Sequence, residues 1–73
     1  MNISRQDWAF EEMEIRRAED ARFPQAPHPY SDEWDAYAMQ RRCRAQRRKA
    51  RGYSRKTADD LVAWAEAQER AAA

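Results

Sequence analysis

Apolar and polar positions along this chain fall into three groups, and each group opens on a helix-start signal. In the first, Ser4 precedes Asp7 like a capping box with Asp in place of the usual Glu or Gln, which predicts a helix from about Arg5 to Arg22. Its large apolar residues do not make one stripe. Trp8 and Ile15 share a face at helical spacing, whereas Phe10 and Met13 fall roughly opposite. A helix apolar on two narrow sides cannot bury both against one small neighbour. One side is therefore expected to face a partner, or the segment to be only partly ordered alone.

The stretch "FPQAPHPY" interrupts the pattern with Pro24, Pro27 and Pro29. Proline fixes φ, lacks an amide donor and pushes its predecessor out of the α region, so residues 23–30 read as an extended linker. His28 within it is expected to be exposed to solvent.

Ser31 then reads as an N-cap, with Asp32, Glu33 and Asp35 in the first turn, where the helix dipole favours anions. The helix is predicted over about 32–51 and to stop at Gly52, the only glycine and a natural C′ residue. Trp34, Tyr37, Ala38, Arg41 and Ala45 follow helical spacing, so an apolar stripe opens this helix and then thins out. Beyond Ala45 the segment is basic nearly all round. A third helix is predicted over about 58–71, opened by a capping-box variant at Thr57 and Asp60. Ala58, Leu61, Trp64, Ala65, Gln68 and Ala72 line one side, and Arg70 suits the dipole at its end. The pattern as a whole predicts a single all-α domain over 1–73: two to three helices joined by a Pro-rich linker, with a small core and disordered termini.

Composition limits that core. Leu, Ile, Val and Phe together number only six among 73 residues, far under the roughly 20% below which chains tend to disorder. Fifteen alanines favour helix but bury little area. The large apolar groups are three Trp, three Tyr and three Met. These types fill small cores and also recur in binding hot spots. Trp64 is expected in the core, while Trp8 and Trp34 are balanced between core and interface.

Little in the chain speaks for catalysis. A single cysteine, Cys43, permits no intramolecular disulfide, and one Cys with one His cannot supply four zinc ligands. Cys43 lies among arginines, yet no base stands near it in sequence, so an inert helix thiol is expected. There is no Gly-rich phosphate loop, paired histidine or Ser, His and Asp constellation, and Glu11, Glu12 and Glu14 read as carboxylates on a solvated face. The expectation is a protein that is not an enzyme and needs no cofactor, metal or small-molecule substrate. With no apolar run of membrane-span length and no signal-peptide core, a cytoplasmic location is expected, without membrane contact.

Charge changes the picture most. Residues 1–40 carry nine acids and four bases, residues 41–56 nine bases and no acid, and residues 57–73 four acids and one base. Either the acidic ends fold back onto the basic centre, or the centre meets a negative partner. Arg41, Arg42, Arg44, Arg47, Arg48, Lys49, Arg51, Arg55 and Lys56 are the candidate partner- or nucleic-acid-binding residues, and such contacts would weaken steeply with salt. Trp8, Trp34, Tyr37 and Tyr53 are the candidate aromatic anchors. Tyr37 and Tyr53, near the ends of the basic helix, could stack on bases.

Three resemblances follow from these stretches. "GYSRKT", Gly52 to Thr57, resembles the turn of a helix-turn-helix, although Asp59 and Asp60 would then face the phosphates they repel. "HPYSDEWDAYAMQRRCRAQR", His28 to Arg47, is similar to the Pro-Tyr segment and Arg-rich helix of the ribosome modulation factor group. That group favours a Gly within the helix where this chain has Met39, Gln40 and Arg41. Finally, the length, the opening "MNISRQDWAFEEMEIRRAED", the Pro-rich linker and the Arg-rich helix together resemble small transcription regulators of lytic Xanthomonas phages. This last resemblance implies a phage protein of the host bacterial cytoplasm that binds host RNA polymerase. It implies inhibition of initiation by the host σ factor and antitermination at intrinsic terminators. The partner surfaces it implies are the N-terminal region of β′ and the β flap, near the RNA exit channel, with nascent RNA close by.

Overall fold

The computed structural model describes residues 3–73. It has three helices, α1 (Arg5–Arg22), α2 (Trp34–Ala50) and α3 (Arg55–Ala72), and no strand among the described residues. The fold is all-α, as the periodicity predicts. Of the expected disordered termini, residues 1 and 2 lie outside the described residues, while at the other end α3 continues to Ala72.

α1 starts where its cap predicts. Ser4 is extended, with φ −68° and ψ 164°, and its Oγ accepts a hydrogen bond of 3.1 Å from the Asp7 amide. The helix ends at Phe23, immediately before Pro24.

α2 starts two residues later than predicted. The Ser31 hydroxyl donates to the His28 carbonyl at 2.7 Å, and the Ser31 amide reaches the same oxygen at 2.9 Å, which closes a turn before the helix. Glu33 is the N-cap instead, without a side-chain capping bond. The other end is as expected. The Gly52 amide donates to the Lys49 carbonyl and the Tyr53 amide to the Arg48 carbonyl, a Schellman pattern that requires positive φ at Gly52, where φ is 74°.

α3 also differs at its start. Ser54, not Thr57, is the N-cap, accepting from the Thr57 amide at 3.1 Å and donating to Thr57 Oγ1 at 3.0 Å. The reason is local. The Schellman turn releases the chain at Tyr53, so the next residue with a capping hydroxyl begins the helix.

Packing joins α1 to α3. Ala9 and Met13 meet Val62 and Ala65 in one cluster, Trp8 meets Tyr53 and Ala58 in a second, and Leu61 touches both. Ala9, Ala58 and Ala65 are fully buried, and their small side chains let the two helices approach closely. The buried face of α1 therefore runs Trp8, Ala9, Glu12, Met13, Glu19. This resolves the two-sided pattern: Met13 joins Trp8 through Ala9 and Glu12, and Ile15 is left exposed. Phe10 lies at the edge with its ring centroid 5.5 Å from that of Trp64, which is half-buried. On α3 the buried side is Ala58, Val62 and Ala65, while Gln68 and Ala72 are exposed.

α2 has no fully buried residue. Long charged side chains, not an apolar seam, fill the space between it and α1. The radius of gyration is 13.6 Å, against roughly 11 Å for a compact chain of this length, consistent with one helix held off the core.

Candidate functional site

The N-terminal acidic segment folds back on the basic centre, whereas Asp59 and Glu69 of the C-terminal segment pair with Arg16 and Arg17 of α1. Arg47 donates from Nε to Glu12 Oε2 and from Nη2 to Glu12 Oε1, both at 2.8 Å, and its Nη1 and Nη2 reach Glu19 at 3.3 Å. Arg44 donates to Glu19 Oε1 from Nε at 3.1 Å and from Nη2 at 2.8 Å, with Asp20 3.6 Å away. Arg16, one turn after Glu12, pairs with it at 3.2 Å and with Asp59 on α3 at 3.0 Å. Glu12 is only 2% exposed, so these arginines balance a carboxylate removed from water. Bonding to Glu12 first, and then to Glu19, raises the Arg47 pKa further, against the opposing effect of burial. Glu12 is thus no solvated carboxylate. It and Glu19 are the sites where α2 attaches.

This network sorts the nine basic candidates. Arg44 and Arg47 are committed to carboxylates of α1, and Lys56 pairs with Asp60 at 3.0 Å. Arg51 donates to the Ile3 carbonyl and sits 5.9 Å from the Tyr53 ring centre. Arg42 and Lys49 are exposed on the outer side of α2. Arg41, Arg48 and Arg55 have no carboxylate in ion-pair range among the described residues. These three converge. With Arg16, Arg44, Ala45 and Asp59 they line a groove of about 320 Å³ beside α2 and the start of α3.

The aromatic candidates also separate. Trp8 and Tyr53 are 6% and 8% exposed and meet edge to face, centroids 4.9 Å apart. They are core, not open anchors, because the Schellman turn swings Tyr53 back over α1. Tyr37 and Trp34 remain half-buried at the surface, their centroids 5.6 Å apart, and Phe23 meets Tyr37 at 5.7 Å. Phe23, Tyr37 and Pro24 help line a second groove of about 190 Å³, which shares Arg41 and Arg44 with the first. Phe23 and Arg16 were not among the sequence candidates. Phe23 reads as linker and Arg16 carries no signal of its own within the first helix, and only the chain crossing brings them to the grooves.

Cys43 is half-buried and His28 exposed, with His28 Nδ1 accepting from the Tyr30 amide at 3.2 Å. The described residues contain no group of three or more His, Cys, Asp or Glu side chains placed to hold a metal, and no helix long and apolar enough to cross a membrane. Between α2 and α3 the turn resembling a helix-turn-helix is tight, but Asp59 on α3 is held by Arg16 of α1.

Comparison with models of known protein families, with curated proteins and with solved structures finds no match for this chain.

Proposed function

We propose that this protein is a transcription regulator that acts by binding the RNA polymerase of a bacterial host. The observation that carries a binding role is the groove in which Arg41, Arg48 and Arg55 keep positive charge that the fold does not neutralise. Arg16, Arg44 and Arg47 are matched by Glu12, Glu19, Asp20 or Asp59, whereas these three are not, so this residual charge suits an anionic partner. The choice of partner rests on the whole-chain resemblance to regulators of lytic Xanthomonas phages. In this reading the protein docks on the N-terminal region of β′ and the β flap near the RNA exit channel. It hinders initiation by the host σ factor and promotes readthrough of intrinsic terminators. No covalent step is needed: a ligand that favours one state of an assembly shifts its population.

Tagged protein incubated with purified Xanthomonas polymerase at moderate salt is expected to co-elute with it, to lower σ-dependent initiation and to raise terminator readthrough. Failure to co-elute removes the reading. Co-sedimentation with ribosomes, or a footprint on duplex DNA without polymerase, would replace it with a ribosomal or a DNA-binding role.

A further inference from the structure

We propose that the arginine groove and the aromatic groove beside it form one binding path for single-stranded nucleic acid, with phosphates in the first and bases against the second. This goes beyond the polymerase reading and does not depend on it.

The charge argument starts from what the fold leaves over. Arg16 and Arg44 line the arginine groove but are matched by carboxylates, and Asp59, the one acid in its wall, is matched by Arg16. Arg41, Arg48 and Arg55 therefore set its net sign. Arg41 and Arg48 are seven residues apart on α2, about 10 Å along the axis, so they address separate points on an extended anion. Arg55 faces them from the first residue of α3. Guanidinium groups match phosphate oxygens in bidentate geometry.

The second groove selects among anions. Arg41 and Arg44 line both grooves, so the two adjoin one another. Arg41 donates to the Tyr37 hydroxyl at 3.2 Å and stands 5.7 Å from the Tyr37 ring centre, which ties charge to aromatic surface. A flat ring next to a phosphate-binding arginine is the arrangement that takes unstacked bases. Duplex DNA or RNA keeps its bases stacked on each other and away from Tyr37.

The test uses the full chain and a fluorescein-labelled oligouridine RNA about 12 nucleotides long, within the site size of comparable grooves. Fluorescence anisotropy is followed against salt. Arg48→Ala with Arg55→Ala removes two groove charges, while Arg42→Ala with Lys49→Ala removes two charges outside it. The groove pair is expected to weaken binding about tenfold and to reduce the log–log salt slope by about 1.4, while the outer pair changes both much less. Tyr37→Leu, with Phe23→Leu as an independent second variant in the same groove, is expected to cost about fivefold at unchanged salt slope. Circular dichroism confirms that each variant keeps its helices. Equal losses from the two charge pairs, binding indifferent to both aromatic variants, tighter binding to a duplex of the same length, or no binding at low salt would each overturn the proposal. Polyglutamate competing as well as RNA would also overturn it, by assigning the groove to acidic protein. Because no polymerase is present, the outcome is independent of the co-elution experiment.

Discussion

Arg47 on α2 grips both carboxylate oxygens of Glu12 on α1, thirty-five residues earlier, through two bonds of 2.8 Å. The pair lies where a larger protein would place leucines. Glu12 sits between Ala9 and Met13 on the buried face of α1 and is nearly inaccessible, and Glu19 lies farther along the same face. α2 has little apolar surface to offer, so its arginines make the attachment. Removing the Arg47 guanidinium leaves the buried Glu12 with Arg16 alone, and removing the Glu12 charge leaves Arg47 with Glu19 alone, whereas replacing both Glu12 and Arg47 with apolar groups avoids burying an underpaired charge.

Glu12→Gln is therefore expected to destabilise the protein by about 1.5–3 kcal/mol, a sizeable part of what a domain this small can hold. Glu12→Met combined with Arg47→Met should recover most of the loss. Urea denaturation followed by circular dichroism measures both. If the single change costs under about 1 kcal/mol, the network is not holding α2 in place. Charge reversal at Arg47 would bring a third carboxylate against Glu12 and Glu19, so such a variant reports on folding before it reports on any partner.

Trp8 gives a second prediction. Its ring is buried against Tyr53, so Trp8→Ala should lose about 3–5 kcal/mol of stability, and any loss of partner binding should follow from unfolding. A double-mutant cycle with Tyr53→Leu should show a coupling of about 0.5–1.5 kcal/mol for the edge-to-face contact. Full stability with lost binding would move Trp8 to an interface.

The start of α3 is tested by two small changes. Ser54→Ala removes the hydroxyl that accepts from the Thr57 amide and should cost about 1 kcal/mol. Thr57→Ala leaves that bond in place and should cost less. The reverse order, read from thermal melts, would return the cap to Thr57.

Acid provides a fourth. The exposed Arg17–Glu69 pair, with contacts of 2.6 and 2.8 Å, lowers the Glu69 pKa from its ordinary 4.5, chiefly through the hydrogen bond from Arg17. A carboxyl whose pKa is lower in the folded state stabilises it above the unfolded pKa, and that contribution is lost as pH falls through the folded value. Glu69→Gln should therefore lower stability slightly at neutral pH and not at all in strong acid. Both partners are solvated, so the difference is expected to be small. A larger gap between variant and parent in acid than at neutral pH would contradict the pairing.

Much of this architecture is legible in the sequence because it depends on short-range chemistry. Ser4 with Asp7, Pro24 after Phe23, and Gly52 after an arginine run act within a few residues, and they place α1 and the end of α2 where the structure has them. Where two local signals compete, sequence alone misplaces the boundary. The Ser31 hydroxyl can cap a helix or close a turn on His28, and Ser54 and Thr57 can both cap α3. Only the path of the chain into each helix decides between them.

Apart from the local pairs Glu12–Arg16 and Lys56–Asp60, the fate of the charges belongs to tertiary structure. The sequence determines that a block of nine basic residues lies between two acidic segments, and that α2 has too little apolar surface for an ordinary core contact. Which arginines meet carboxylates depends on how α1 crosses α2, a relation between residues some 25 to 35 positions apart. That crossing commits Arg44 and Arg47 to Glu12 and Glu19 and leaves Arg41, Arg48 and Arg55 facing a common groove. Identical side chains on one helix thus acquire opposite roles, because a charge is neutralised only by what stands within a few ångströms of it in space.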